Sequence, residues 1–229
     1  DESQELLDGV TTDVFNTARK QASWQNDFSL GDAATVSAGI DYLMDEVSGS
    51  TEYMEKSRDN RAVFSQWQQN AGRHDWLLAL RKDDNEAYGG KTTGSAAWGY
   101  ALGSRLRLTA SYGTAFKAPT FNDLYFPGFG NPDLQPESSE SSELSLRGTT
   151  GSGSWGLYAY RTEVENLIDW APDASGAWRP QNVDRARIDG IEVELASRLG
   201  QWDTSAALSY TCLLYTSPSP RDRTRSRMP

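Results

Sequence analysis

Apolar and polar side chains alternate along much of the chain. Between residues 36 and 44, every second residue is apolar or aromatic, namely Val36, Ala38, Ile40, Tyr42 and Met44. Residues 105–112 and 202–210 repeat the pattern. Successive side chains of a strand point to opposite faces, so a period of two predicts β-strands with one apolar and one polar face. The longest apolar run, Trp76–Leu80, is far short of the roughly 20 residues of a spanning helix.

The pattern predicts ten strands joined by connections of two kinds. The strands lie near residues 14–29, 36–44, 60–71, 75–84, 92–102, 105–112, 140–149, 154–168, 186–198 and 202–210. Tight turns at Gly31, Gly72, Gly103, Gly151 and Gly200 alternate with long polar loops at 45–59, 84–91, 114–139 and 169–185. Outer-membrane barrels have short periplasmic turns and long extracellular loops. The order therefore predicts an all-β, antiparallel up-and-down transmembrane β-barrel wall.

Aromatic and charged residues bear on the choice between a membrane barrel and a soluble sandwich. Four aromatic residues lie near the tight turns, namely Trp76, Tyr100, Trp155 and Trp202. They fit an aromatic girdle at the periplasmic interface, or the aromatic core of a sandwich. Five charged residues fall on the polar face inside strands, namely Asp41, Arg107, Arg147, Glu192 and Glu194. A wide polar lumen tolerates such charges, which favours the barrel.

The last 18 residues, CLLYTSPSPRDRTRSRMP, differ from the rest. They break the alternation and contain four arginines and the single cysteine. Translated back into codons, they resemble a sequencing-library adapter; a natural Arg/Pro-rich tail is the alternative. We therefore predict a partial barrel in residues 1–211 and a non-native, irregular tail in residues 212–229. The chain also begins at Asp1 without an initiator Met or signal peptide, so we expect a piece of a longer protein.

Without that tail the chain is strongly acidic and has no cysteine. Residues 1–211 keep 18 of the 22 basic and 31 of the 32 acidic residues, a formal charge of −13. This balance offers no thiol nucleophile, no disulfide frame and no basic surface for phosphates, so nucleic acid is not an expected partner. Passage through an oxidising periplasm would suit such a chain.

Catalytic and metal chemistry find little support. The single histidine, His74, has no second His or Cys for a zinc site, and no G-x-S-x-G motif is present. Asp83–Glu86 places four oxygen ligands in a row, but without the spacing and glycine of an EF-hand loop. A solvated loop is favoured there, and calcium dependence stays open. We predict no catalytic residues, no metal site and no cofactor.

Two motif blocks resemble a known family. Residues 106–136 are LRLTASYGTAFKAPTFNDLYFPGFGNPDLQP, and residues 164–195 contain VENLIDW followed by RPQNVDRARIDGIEVEL. Both blocks resemble signature elements of TonB-dependent receptors. Together with residues 81–100, they look most like the branch of that family that transports cobalamin. The resemblance covers nearly all of residues 13–211.

The resemblance implies a Gram-negative outer-membrane barrel of about 22 strands that is plugged by an N-terminal domain. Such a receptor imports a large, scarce solute, here cobalamin, with energy passed through TonB to a segment that this chain does not contain. Ten strands of such a wall, surrounded by outer-membrane lipid, are expected to form an open, curved sheet with unpaired end strands. A siderophore or haem receptor is the nearest alternative. A porin without a plug and an outer-membrane enzyme are alternatives of other classes.

Two long loops carry the candidate ligand-binding residues. In loop 114–139 they are Tyr125, Phe126 and Phe129, and in loop 169–185 they are Trp170, Trp178 and Arg179. Exposed aromatic rings on a mouth loop can stack on a corrin or on its nucleotide base. The alternative is fold maintenance. In that interpretation Pro119, Asn122, Asp123 and the GNPDLQP turn fold the first loop, and the second group packs at the lip.

Overall fold

The computed structural model describes residues 2–7, 10–173, 176–183 and 185–216. Within these ranges the chain forms thirteen strands and one short helix. In chain order they are β1 (Glu2–Leu7), β2 (Val10–Leu30), β3 (Ala34–Gly49), β4 (Ser57–Ala71), β5 (His74–Asn85), β6 (Gly89–Ala101), β7 (Leu106–Lys117), α1 (Phe121–Tyr125), β8 (Glu137–Thr149), β9 (Gly153–Glu165), β10 (Leu167–Pro172), β11 (Trp178–Val183), β12 (Arg185–Leu199) and β13 (Trp202–Thr216). No helix among the described residues is both long and apolar enough to cross a membrane.

Eleven of the strands form one antiparallel sheet, in which the strands lie side by side in chain order. The order is β1 to β9, then β12 and β13, while β10 and β11 form a separate hairpin between β9 and β12. Within the described part of the chain, no pairing joins β1 to β13, so the sheet is open. The ten predicted strands are confirmed as β2 to β9, β12 and β13. The short strand β1 and the hairpin were not predicted.

The connections follow the predicted alternation of short and long with one exception. The predicted long loop at 84–91 is wrong, because Asp83–Asn85 continue β5 and pair with Gly89–Lys91 of β6, which leaves a turn of residues 86–88 in place of a solvated loop. The turn between β2 and β3 contains three residues and closes at the pair Leu30–Ala34, with Gly31 at φ 70°. Gly72 occupies the corresponding position between β4 and β5, with φ 64°. A side chain strains the backbone at such angles, so glycine is the residue that turns the chain there. The long connections all lie at the opposite end of the strands.

The register places the apolar residues on one face, which we call the outer face. A row of directly paired residues crosses seven strands on this face, consisting of His74, Tyr100, Leu108, Leu146, Leu157, Val193 and Leu208. Large apolar side chains are widely exposed here, with Trp24 at 59% and Leu208 at 74%. Monomeric soluble proteins rarely expose continuous apolar surface of this extent. The outer face therefore fits lipid rather than water.

Aromatic residues mark both ends of the outer face. The predicted girdle residues Trp76, Tyr100, Trp155 and Trp202 lie near the tight turns on this face, as the register shows. His74 stacks among Trp76, Trp98 and Tyr100, and its Nδ1 accepts a hydrogen bond of 3.0 Å from Trp98 Nε1. Toward the loop end, Tyr42, Tyr112 and Tyr210 lie on the same face, each with more than a third of its surface exposed.

The opposite, inner face carries charged and hydroxyl side chains that pair across strands. Arg81 Nη1 lies 2.5 Å from Asp41 Oδ2, and Arg81 Nε lies 2.9 Å from Asp83 Oδ2. Asp83 is only 3% exposed and also accepts a hydrogen bond of 2.9 Å from Asn60 Nδ2. Arg107 pairs with Asp75. These pairings give the wall the polar interior that the sequence predicts.

Further along the sheet, tyrosine hydroxyls donate hydrogen bonds to the carboxylates of two inner-face glutamates. Tyr158 donates to Glu194 at 3.1 Å, and Tyr160 donates to Glu192 at 3.4 Å. Arg147 lies directly opposite Arg107 in the register of β7 and β8. All five charged residues that the sequence singled out are therefore on the inner face.

The end of β13 corrects one expectation. The prediction that residues 212–229 are irregular is wrong for residues 212–216, because β13 continues to Thr216 and pairs with β12 as far as Arg185. Leu213 and Leu214 are compatible with a strand, and the free edge of β12 supplies hydrogen-bonding groups whatever the origin of the sequence. Residues 217–229 lie outside the described residues.

Candidate functional site

The connection between β7 and β8, residues 118–136, is folded rather than extended. Its helix α1 begins with a capping box, in which Asp123 N donates to Thr120 Oγ1 at 3.1 Å and Thr120 N donates to Asp123 Oδ2 at 2.9 Å. Leu124 is fully buried, and so are Pro119 and Pro136 at the two ends. Capping satisfies the free amides of so short a helix, and the buried residues attach it to the wall.

A small aromatic core lies beneath this loop. Val47, Tyr53 and Phe121 are each less than 10% exposed and pack together. Phe15, Tyr125 and Phe126 pack against them. Because Val47 and Phe15 belong to β3 and β2, this core joins the loop to strand residues that precede Phe121 by 74 and 106 positions in the chain.

The next long connection, between β9 and β12, is clipped to this loop by two asparagines. Asn182 Nδ2 donates to the carbonyls of Gln135 and Asn166, both at 2.8 Å, and Asn182 Oδ1 accepts from Gln135 N at 2.8 Å. Asn131 Nδ2 donates to the carbonyl of Pro180 at 3.0 Å. We call these two asparagines the loop clip. Both belong to the motif blocks, so these motif residues hold the loops together.

The loop clip gives a direct prediction. Changing Asn182 to alanine leaves the Gln135 amide and carbonyl without their partner, and each lost bond costs about 0.5–1.5 kcal/mol. We expect hydrogen exchange across residues 131–137 to accelerate by about tenfold, measured by mass spectrometry on the full-length protein. Gln181→Ala is the matched control, because Gln181 Nε2 donates within the hairpin, to Ala171 O at 2.9 Å, and not to the β7–β8 loop as far as the structure describes the chain. Equal protection in both variants would contradict the clip.

The first group of predicted ligand residues is only partly available. Tyr125 packs on Phe121 with ring centroids 6.2 Å apart. The pKa of its phenol is raised, mainly by burial and to a lesser extent by the negative charge of Glu55. Phe126 packs edge-on against Tyr53 at 6.1 Å and lies 6.2 Å from Phe129. Phe129 is 50% exposed. Of these three rings, Phe129 therefore offers the most free surface for a ligand.

The second group lies on the β10–β11 hairpin. The register pairs Trp170 with Pro180 and Trp178 with Pro172, which places both indoles on one face of the hairpin. They are 43% and 60% exposed. Arg179 lies on the other face, in an ion pair of 3.3 Å with Asp173. The structure thus keeps the two tryptophans together and separates Arg179 from them.

Sequence reasoning missed Tyr53 and Arg58, which contact the first loop from the β3–β4 side. Their partners Asn122 and Pro119 are 69 and 61 residues away in the chain, so no local pattern links them. A cavity of about 620 Å³ opens beside them, lined by residues of β2, β3, β4 and the loop. Its charged and aromatic lining residues are Phe15, Arg19, Asp45, Glu46, Arg58 and Phe121.

The remaining candidates do not form a chemical site. Asp83 faces Arg81 and Asn60, whereas Glu86 accepts from the amide of Asp59 at 3.3 Å, so the side chains of the acidic run diverge. His74 lies at the end of the strands opposite the long loops. Among the residues that the structure describes, no cluster of three or more His, Cys, Asp or Glu could hold a metal ion.

An apolar outer face, a charged inner face and two folded, clipped loops at one end define the wall and mouth of an outer-membrane β-barrel of the receptor type. The chain belongs to the TonB-dependent receptor-like β-barrel family, whose model matches residues 3–228. This membership places it in the outer membrane, in a family of receptors and transporters rather than enzymes.

Two curated relatives are vitamin B12 transporters. The chain is 40% identical over 205 residues to a vitamin B12 transporter of Photobacterium profundum, which covers 84% of this chain and 33% of that protein. It is 38% identical over 206 residues to the vitamin B12 transporter of Vibrio vulnificus, covering 86% of this chain and 34% of the relative. The chain therefore spans about a third of the length of these relatives.

Solved structures show the same fold at low identity. The siderophore receptor PirA of Pseudomonas aeruginosa superposes with a TM-score of 0.77 at 18% identity, over 90% of this chain and 44% of that one. The FrpB iron transporter of Neisseria meningitidis gives 0.76 at 11% identity, over 91% and 37%. These likenesses confirm the fold, an antiparallel β-barrel wall.

Proposed function

We propose that this chain forms part of the barrel and mouth of a TonB-dependent transporter that imports cobalamin across the outer membrane. The observation that carries the proposal is the 40% identity to a vitamin B12 transporter over 205 residues, which covers 84% of this chain. In the complete protein, a plug domain would fill the lumen, and TonB would supply energy through a segment outside this chain.

The chemistry of the mouth is compatible with such a solute. Phe129, Trp170 and Trp178 offer exposed rings that can stack on a flat corrin or on its nucleotide base. Residues 1–211 are also acidic, with a formal charge of −13. A surface of that sign repels an anionic iron chelate more than a solute dominated by neutral amides. A siderophore or haem complex is therefore the weaker alternative.

The test begins with the full-length gene, recovered from the source DNA and expressed with its plug. We expect the purified protein to bind cyanocobalamin tightly in calorimetry. Changing Phe129 to alanine should weaken binding about tenfold or more, because truncating an aromatic anchor costs on the order of 1–2 kcal/mol. Met54→Ala is a matched control, since this loop residue is 64% exposed and belongs to neither candidate group.

The outcomes separate the alternatives. No cyanocobalamin binding by a folded, plugged protein would contradict the cobalamin proposal and direct the assay to iron chelates. If Phe129→Ala leaves binding unchanged but a Trp170→Ala, Trp178→Ala double variant abolishes it, the ligand binds to the β10–β11 hairpin and not to Phe129. The recovered gene also tests our proposal that residues 212–229 are not native, because a native tail would appear unchanged in the source sequence.

A further inference from the structure

Arg58 of β4 contacts the β7–β8 loop at the point where it leaves β7. Its Nη1 donates to the carbonyl of Pro119 at 2.7 Å, and its guanidinium lies 4.7 Å from the centre of the Phe121 ring. These two residues flank Thr120, the N-cap of α1. The Arg58 side chain is only 13% exposed and Pro119 is fully buried. One guanidinium therefore fixes the start of the helix by a hydrogen bond and a cation–π contact.

The wall in turn holds Arg58. Asp45 of β3 lies 3.8 Å from Arg58 Nε and also accepts from Arg19 of β2, at 2.7 Å from Nε and 3.1 Å from Nη2. The carboxylate is thus shared by two arginines on the strands either side of it. This arrangement limits the positions that the Arg58 side chain can adopt. If Arg58 moved away, the Asp45 carboxylate would lose one of its two cations, and the contacts of Arg58 with Pro119 and Phe121 would break.

A second contact supports the same helix. Tyr53 Oη donates to Asn122 Oδ1 at 2.5 Å, and its ring meets Phe126 edge-on. Tyr53 and Arg58 therefore hold α1 from one side, whereas the loop clip holds the distal part of the loop from the other. We use the term loop latch for Arg58 with Pro119 and Phe121, and for Tyr53 with Asn122.

We infer that Arg58 is a positioning residue, which holds the β7–β8 loop in its binding conformation without presenting a large surface to the ligand. The inference rests on the proposed function, in which this loop contributes Phe129 to the ligand surface. A loop that is already ordered loses less conformational freedom when the ligand binds, so affinity depends on the latch. Lysine cannot replace Arg58 fully, because it lacks the planar group that donates and stacks together.

The test uses the full-length, plugged receptor with any native cysteine changed to serine and a spin label on cysteine at Pro127, an exposed position that follows α1 and its C-cap Phe126. Arg58→Ala should increase the mobility of the label and weaken cyanocobalamin binding about tenfold, while the unfolding temperature of the barrel stays within about 2 °C. In Arg58→Lys, both label mobility and cyanocobalamin affinity should lie between those of the parent receptor and those of Arg58→Ala. Arg61→Ala is the matched control, because Arg61 pairs in register with Tyr42 and so lies on the outer face of the same strand.

Label mobility is measured without ligand, so it tests the latch even if cyanocobalamin does not bind and the proposed function fails. Unchanged mobility in Arg58→Ala would overturn the inference. Mobility that rises only together with a large fall in unfolding temperature would also overturn it, since Arg58 would then serve the wall as a whole. Tyr53→Phe provides an independent check: it removes one hydroxyl and should increase mobility less than Arg58→Ala does.

Discussion

Replacing Arg81 by alanine is expected to destabilise the barrel by about 2–4 kcal/mol. Arg81 is the cation between Asp41 and Asp83, and Asp83 is 3% exposed. Removing one partner of a buried ion pair leaves an uncompensated charge, which costs about 3–5 kcal/mol. The lower range applies here because the Arg81 side chain is 37% exposed, so water screens part of the charge. Urea unfolding of the full-length protein in detergent measures the loss.

Two comparisons make this result specific. Arg179→Ala removes a loop ion pair whose partners are 43% and 30% exposed, and should change stability by less than about 1 kcal/mol. Adding Asp83→Asn to Arg81→Ala should recover much of the loss, because the neutral amide no longer needs a cation. If Arg81→Ala unfolds like Arg179→Ala, the inner-face network does not stabilise the wall.

The sequence predicted the wall well because a single physical cause sets its pattern. Where one face meets lipid and the other a polar lumen, every strand must alternate, and all ten strands found by alternation are present. Above the bilayer both faces are polar, so the pattern fades while the backbone pairing continues. Strand β3 accordingly runs on through Asp45 and Glu46 to Gly49, beyond the predicted end at residue 44.

The mouth was less predictable because its contacts join residues that are distant in the chain. Composition identified Phe129, Trp170 and Trp178 as aromatic loop residues, and the structure leaves them exposed. Composition gave no reason to expect that Phe129 is exposed whereas Tyr125 packs on Phe121. Exposure depends on the fold of the loop, and that fold depends on partners such as Tyr53, far away in sequence.

Wall and mouth are therefore stabilised differently. The wall has little apolar core of its own, because its large apolar residues face outward, and it depends on strand pairing, inner-face charges and lipid. The mouth has a small conventional core around Val47, Tyr53 and Phe121. Loop variants should consequently alter ligand binding with little effect on barrel stability. Wall variants should alter barrel stability with little effect on ligand binding.

The second large effect is expected from Leu208→Arg. Leu208 is 74% exposed in the middle of β13, pairs with Val193, and lies on the outer face. An arginine on the lipid face near the bilayer midplane costs about 2–4 kcal/mol, because the charge must leave water or distort the membrane. Urea unfolding of the full-length protein in phospholipid vesicles should show this loss, with a smaller one in detergent micelles, where water reaches the surface more easily.

The adjacent position supplies the control that assigns the effect to the face. Ser209 pairs with Glu192 and points to the inner face, so Ser209→Arg places the same charge one residue along, opposite a carboxylate. Its stability should stay within about 1 kcal/mol of the parent protein. A larger loss at Ser209 than at Leu208 would mean that the two faces had been assigned in reverse. Equal losses would mean that β13 is not a wall strand in the complete protein, because only a strand with lipid on one side distinguishes neighbouring residues in this way.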